Sequence, residues 1–278
     1  FVKKLGYKRC VVVKPLDDDK IQPKDANDAL RQRADIPRLL LEAKPLPHRR
    51  IQTFVDLRND VLSYILNPTA RTGSLSLSLP SLSTYTQGFR TGELVIVSGS
   101  TGAGKTTLLS QISLDFAKEG KPVLWGSFEI LNTTLLTKML QQYSMKPLTP
   151  LILREELDEI ADDFQSLSLT FLNFYGGTSI EEVMDAIDHA VYNYDIQHII
   201  IDNLQFMMPI LSSSGFNKFD VQDDVVRKLR TFATEKEVCI FLVVHPRKEY
   251  ESNILEISSI FGSGKVSQEA DMVLILQR

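Results

Sequence analysis

Residues Gly99, Ser100, Thr101, Gly102, Ala103, Gly104, Lys105 and Thr106 spell G-x-x-x-x-G-K-[ST] without deviation, and this loop constrains the fold more than any other stretch of the chain. It lies between the apolar run Glu93 to Ser98 (ELVIVS) and the helical stretch Thr106 to Ala117 (TTLLSQISLDFA), the strand–loop–helix context that the pattern requires. Glycines let such a loop wrap a phosphate with its backbone N–H groups. The helix amino end adds a partial positive charge facing the anion. Lys105 supplies a full charge for the β- and γ-phosphates of a nucleoside triphosphate. Thr106 offers a hard oxygen to Mg2+, and Thr107 continues the nucleotide-facing segment. A chance match somewhere in a chain of 278 residues is on the order of 1%.

From Gly92 onward, apolar runs alternate with amphipathic stretches. The pattern predicts strands at Leu94–Ser98, Val123–Phe128, Leu169–Tyr175, His198–Ile201, Cys239–Val244 and Met272–Leu276. It predicts helices at Thr106–Lys118, Leu131–Tyr143, Ile180–Asn193 and Val221–Glu235. Alternation of this kind implies crossover helices and an α/β fold whose mostly parallel sheet is covered on both faces. Ligands of such sheets bind at the carboxyl ends of strands, and each candidate residue below falls at one. A chain that is 43% hydrophobic and 24% charged can bury the core this needs. The net charge of −4 gives no overall attraction to nucleic acid, so basic contacts would be local or pooled between subunits. Two distant cysteines, Cys10 and Cys239, exclude a disulfide framework and fit a reducing compartment. No apolar run reaches membrane-spanning length.

The first ninety residues are less regular. Tyr7–Lys14 reads as a short strand, Pro15–Pro23 as a turn and Asp25–Ala34 as a polar helix. Ala43–Pro47, with two prolines, reads as a linker. Ile51–Leu66 is predicted as a helix with an apolar stripe of Phe54, Leu57, Val61, Leu62 and Ile65, stopped by Asn67-Pro68. Ser74–Ser83 (SLSLSLPSLS) is low in complexity and reads as an extended connection. No signal or transit peptide is visible at Phe1, and the chain is expected to be a piece of a longer protein, opening mid-strand.

His198–Asp202 is an apolar strand ending in a carboxylate, the usual place for an acid that holds Mg2+ in P-loop proteins. Many ATPases put a catalytic glutamate next; here Asn203 follows, so the base must come from elsewhere. Glu129 is the candidate, because it ends VLWGSFE, a strand that in RecA-type motors lies beside the P-loop strand with its end facing the γ-phosphate. The competing reading is a cap for the helix at Leu131. His245 ends IFLVVH and suits either a γ-phosphate sensor or an ordinary strand-end histidine.

The stretches GELVIVSGSTGAGKTT, VLWGSFEI, HIIIDNLQFMM, VVHPRKE and IFGSGKVSQEADMVLILQ together resemble the ring-forming replicative DNA helicases of the DnaB type and the helicase half of bacteriophage primase-helicases. WGSFE and DNLQFMM point to the mitochondrial branch of that family. The resemblance implies a RecA-like P-loop NTPase core over 70–278, a linker-helix region over 43–69 and the remnant of a primase-like domain over 1–42. It implies ATP, or another NTP or dNTP, with Mg2+ as cofactors, and single-stranded or forked DNA and the replication machinery as partners. Lys105 and Thr106 would be the Walker residues, Glu129 the base, Asp202 the Mg2+ acid and His245 the sensor. DNA would meet Pro246–Leu255, starting with Arg247 and Lys248, the segment Phe261–Gln268, with Gly264 and Lys265, and a loop after Asp202 that includes Ser212–Gly215. Read without the family, Arg247, Lys248 and Lys265 fit solvated surface charges equally well. The helix at Ile51–Leu66 would dock on a neighbouring subunit of a homo-oligomer, a hexamer in this family, in a mitochondrial matrix nucleoid; read without the family, its stripe also fits packing on its own domain. The family's arginine finger lies beyond the strand matching DMVLILQ, while the chain stops at Arg278. This span alone is therefore expected to bind nucleotide and hydrolyse it poorly, since an arginine in trans is worth ~10³–10⁵ in rate. The alternatives are a RecA-like recombinase, a nucleotide-dependent single-strand DNA scaffold or loader, and a signalling ATPase.

Overall fold

The computed structural model describes residue 4 and residues 10–13, 25–46, 51–67, 72–174, 178–207, 218–247, 254–261 and 264–277. Contacts divide the chain into two compact units, 1–67 and 68–278. Among the described residues no helix is long and apolar enough to cross a membrane.

In the first unit, β1 (Val11–Val12) pairs antiparallel with β2 (Lys44–Pro45). Within Ala43–Pro47, Lys44 and Pro45 form this edge strand, where proline is tolerated. Two short helices precede β2, α1 (Ala26–Arg31) and α2 (Ile36–Leu41). Asp25 and Asp35 cap them, each accepting from the backbone N–H three residues on, at 2.7 and 3.2 Å. The polar helix expected over Asp25–Ala34 ends early, and α2, which begins beside Pro37, has no counterpart among the sequence expectations. α3 (Phe54–Leu66) starts where Thr53 N donates to Asp56 Oδ2 at 2.7 Å. No residue of α3 is buried, and Phe54, Val55, Val61, Leu62, Ile65 and Leu66 are exposed.

The second unit is built on a six-stranded sheet of order β5-β4-β6-β7-β3-β8, parallel at every pairing. The strands are β3 (Leu94–Gly99), β4 (Val123–Ser127), β5 (Leu169–Phe171), β6 (His198–Asp202), β7 (Cys239–Val243) and β8 (Met272–Leu276). The four inner strands are wholly buried and the edges β5 and β8 half-buried. This explains why the inner strands read as unbroken apolar runs. Side chains alternate between two cores. Leu94 and Ile96 join Val183, Ile187 and Leu229, while Val95 and Val97 join Leu109, Ile112 and Met139. The covering helices include α4 (Pro80–Thr86), α5 (Lys105–Lys118), α6 (Asn132–Ser144), α7 (Arg154–Gln165), α8 (Ile180–Tyr194) and α9 (Lys218–Lys236), with a short α10 (Lys265–Glu269) before β8.

Three expectations fail here. The extended reading of Ser74–Ser83 gives way to α4, which Pro80 opens at its first turn. The strand predicted over Leu169–Tyr175 stops at Phe171. β4 does not lie beside the P-loop strand; β6 and β7 intervene, and β4 pairs with β6.

His198 begins β6 with no solvent exposure and packs on Phe116 at 4.1 Å between ring centroids. Neither ring nitrogen has a hydrogen-bond partner among the described residues. Burial, with the Lys121 charge adding, pushes its pKa from 6.5 to about 3. The unfolded chain therefore binds a proton that the folded chain refuses, and stability falls as pH drops through that window. Between pH 7 and pH 5 this single group is expected to cost about 2 kcal/mol. His198→Phe should flatten that part of a pH series of denaturant unfolding; an unchanged slope would disprove the assignment.

Candidate active site

The loop between β3 and α5 is shaped by backbone constraints. Gly104, the residue before α5, holds φ +98°, a left-handed conformation that glycine adopts without cost. A Cβ on Gly99 would meet the Leu276 carbonyl oxygen of neighbouring β8 at 2.4 Å. Gly99→Ala should therefore push β8 from β3 and destabilise the unit by about 1–3 kcal/mol, read by denaturant unfolding; wild-type stability would contradict the packing.

Lys105 is buried at the start of α5, and its Nζ donates to the carbonyl oxygens of Gly99 at 2.7 Å and Ser100 at 3.0 Å. Burial lowers its pKa, opposed by the charges of Asp202 and then Glu129. Thr106 Oγ1 donates to Asp202 Oδ2 at 2.7 Å. Asp202 ends β6 almost fully buried; desolvation raises its pKa, partly offset by the Thr106 hydrogen bond. Ser100, Thr101 and Gly102 form the rim of the loop, Ala103 N donates to Ser100 O at 3.1 Å, and exposed Thr107 lends its carbonyl to Gln142 Nε2 at 3.0 Å.

Glu129 reaches this group from β4. Ser127 is in register with Asp202, and Phe128 N donates to Asp202 O at 2.8 Å, so Glu129 emerges beside the end of β6. Its Oε2 accepts from Asn203 Nδ2 at 2.7 Å. It does not cap the following helix: α6 has Leu131 at its N-cap position and no side-chain cap. His245, two residues beyond β7, places Nε2 at 2.9 Å from Asn203 Nδ2 and 3.8 Å from Glu129 Oε2. The ends of β3, β6, β4 and β7 thus bring together Lys105, Thr106, Asp202, Glu129 and His245. A lysine, a hydroxyl, two carboxylates and an imidazole around a loop of backbone N–H groups can bind a polyphosphate, hold a hard cation and orient a water.

The candidate DNA-facing residues are placed only in part. Arg247 is exposed, and its N–H donates to Ser259 O at 2.7 Å, while Phe261 N donates to His245 O at 3.0 Å. The two candidate segments are therefore tied together next to His245. Gly264 is exposed at the start of α10. Lys265 is exposed but lies 3.4 Å from Asp223 Oδ2 on α9. Lys248, Ser212–Gly215 and Arg278 lie outside the described residues.

Two residues of this region escape a reading of the sequence. Asn203 registers there only as the lack of an acid. Asp115, buried in α5, accepts from Ser76 Oγ at 2.5 Å, Ser78 Oγ at 2.6 Å, Ser78 N at 3.0 Å and Gln111 Nε2 at 3.3 Å. It fastens the Ser-Leu segment to the helix that carries Lys105. The available signal is the alternation itself, with serines turned inward at Ser74 and Ser76 and Leu77 outward.

Residues 66–251 match the AAA domain family, which is more than half of the chain. The replicative DNA helicase DnaB of Mycoplasma genitalium is 25% identical over 217 residues, 73% of this chain and 46% of that protein. The DnaB of Helicobacter pylori strain J99 is 27% identical over 231 residues, 77% of this chain and 47% of that protein. The chain spans about half the length of these relatives. The DNA repair protein RadA of Chlamydia trachomatis is 26% identical over 163 residues, 58% of this chain and 29% of that protein. Among solved structures, one ATPase domain superposes with a TM-score of 0.69 at 16% identity, covering 82% of this chain and 84% of its own. A DnaB-like replicative helicase, described with its interactions with primase, superposes with a TM-score of 0.66 at 14% identity, covering 91% and 62%. The fold is thus the RecA-like α/β core of helicase ATPase domains, and the chain belongs to the AAA domain family and is similar to DnaB-like replicative helicases.

Proposed function

We propose that this chain is the motor part of a ring-forming replicative DNA helicase, an enzyme that hydrolyses ATP or a related triphosphate to move along single-stranded DNA and open forked duplex. The observation that carries the reading is the convergence of Lys105, Thr106, Asp202, Glu129 and His245, with the backbone around Arg247 tied to the same site. Lys105 and the 99–107 loop take the phosphates. The oxygens of Thr106 and Asp202, 2.7 Å apart, fit Mg2+; when bound, that ion neutralises charge on the β- and γ-phosphates. Glu129 orients the attacking water, and His245 senses the terminal phosphate.

Arg247, Lys248, Gly264 and Lys265 contact the DNA strand, with Lys265 exchanging Asp223 for a phosphate. The exposed apolar residues of α3 suit docking on a neighbouring subunit in a hexamer. Residues 1–42 then close a primase-like domain, 43–69 form the linker region and 70–278 the motor. WGSFE and DNLQFMM support the finer assignment to a mitochondrial replicative helicase of the Twinkle type, acting in the nucleoid with the replication machinery.

The test is unwinding of a forked duplex by the full-length protein. Wild type should separate the strands with ATP and Mg2+, and Lys105→Ala should not. DNA-dependent hydrolysis without strand separation would end the helicase reading. The RadA similarity favours one rival, a recombinase. Closed rings in electron micrographs support the helicase, and open filaments on DNA the recombinase.

A further inference from the structure

Asn203 follows Asp202 with no exposed surface, and its amide touches both groups that the proposed site sets near the terminal phosphate. Nδ2 donates to Glu129 Oε2 at 2.7 Å and meets His245 Nε2 at 2.9 Å, while Oδ1 accepts from the Gln205 backbone N–H at 3.1 Å. A backbone N–H needs an acceptor, so Gln205 fixes which end of the amide is oxygen, and Nδ2 must face Glu129 and His245. Glu129 Oε2 accepts one of the two amide hydrogens. The second amide hydrogen then goes to His245 Nε2, which accepts only when the imidazole proton sits on Nδ1. The carboxylate and the imidazole are 3.8 Å apart, too far to bond directly. One amide bridges them with both of its hydrogens in use.

We infer that Asn203 is a positioning residue that holds the Glu129 carboxylate and the His245 tautomer as one unit. It links the segment around Arg247 to the water-orienting carboxylate. The backbone supports this link. His245 O accepts from Phe261 N at 3.0 Å and Arg247 N donates to Ser259 O at 2.7 Å, so displacement of the paired segments moves His245. The movement then passes through Nδ2 to Glu129. An aspartate in place of Asn203 would set acceptor against acceptor at Glu129, so the hydrogens of an amide suit this position. The inference rests on the reading of Glu129 as the base.

Two measurements test it. In this chain labelled with 15N-histidine, NMR should show His245 protonated on Nδ1 with Nε2 bare, and Asn203→Ala should shift the tautomer toward Nε2–H. In the full-length protein with Mg-ATP, Asn203→Ala should lower kcat on the order of 10- to 100-fold while the Kd for ATP stays within about twofold. The double variant Glu129→Gln/Asn203→Ala should turn over no more slowly than Glu129→Gln, because the amide acts through the carboxylate. A wild-type His245 protonated on Nε2, an unchanged kcat in Asn203→Ala, or losses that multiply in the double variant would each overturn the inference. If Glu129→Gln is slow while Asn203→Ala is not, the positioning role fails alone. If Glu129→Gln itself turns over like wild type, the base assignment fails and takes this inference with it.

Discussion

Glu129→Gln should lower nucleotide hydrolysis by about 10²–10⁴-fold and leave nucleotide affinity within about twofold. The substitution keeps the length and shape of the side chain. The glutamine oxygen can still accept from Asn203 Nδ2, now 2.7 Å from Glu129 Oε2, so the bridge to His245 survives and the negative charge alone is lost. Binding should change little, because the proposed phosphate contacts are the loop and Lys105, whose charge is influenced by Asp202 more than by Glu129. Asn203 carries no base, so the position after Asp202 offers no substitute for the proposed water-orienting role of Glu129. The measurement is phosphate release under saturating ATP and DNA, beside ATP binding followed by a fluorescent analogue. Turnover at the wild-type rate would remove Glu129 from the chemistry. A loss confined to affinity would make it a binding residue instead.

The sequence tells most about this site where local chemistry and strand pattern agree. The 99–106 loop needs its residues in one order, and the runs before Asp202, Glu129 and His245 are apolar because their strands are buried on both faces. Met272–Leu276 is bounded correctly too, and lies in register with β3 from Val95 to Gly99. The order of strands is not legible. Parallel strands joined by helices carry no local mark of their neighbours, so β4 reads as a neighbour of β3 when it pairs with β6. Glu129 still arrives at the site, because pairing with β6 delivers it to Asp202 directly. α7 escapes notice although Leu157, Ile160, Ala161 and Phe164 recur at helical spacing; eight polar or charged residues surround them, and the stripe is short. α4 and the serine contacts with Asp115 are hidden because a Ser-Leu alternation reads as extended and featureless, and only tertiary structure shows that its polar face is the buried one. Asn203 is hidden for another reason. Its role consists of contacts with residues 74 and 42 positions away, which no local pattern records.

Asp202→Asn should raise the Tm of the nucleotide-free protein while lowering magnesium-dependent hydrolysis by about 10³-fold. The two effects have one cause. Asp202 is almost fully buried, and desolvation lifts its pKa above the ordinary carboxylate value despite the Thr106 hydrogen bond and the nearby positive charge of Lys105. An acid shifted this way contributes most to stability below the ordinary carboxylate range, and that contribution is lost as pH rises through the raised value. At neutral pH the buried charge is therefore a cost to the fold. Asparagine removes the charge and keeps an oxygen to accept from Thr106 Oγ1, now 2.7 Å from Asp202 Oδ2. The gap in Tm between variant and wild type should open as pH rises from about 4 toward 7. The functional loss follows from the same removal, since a neutral amide is a far poorer partner for a divalent cation than a carboxylate. Thermal unfolding across that pH range and phosphate release at fixed Mg2+ measure both halves. A Tm that falls at neutral pH would show that the carboxylate stabilises the fold. Hydrolysis that survives the change would place the metal elsewhere. A gain in stability coupled to loss of activity is what distinguishes a group kept for chemistry from one kept for packing, and it is the paired outcome expected at Asp202.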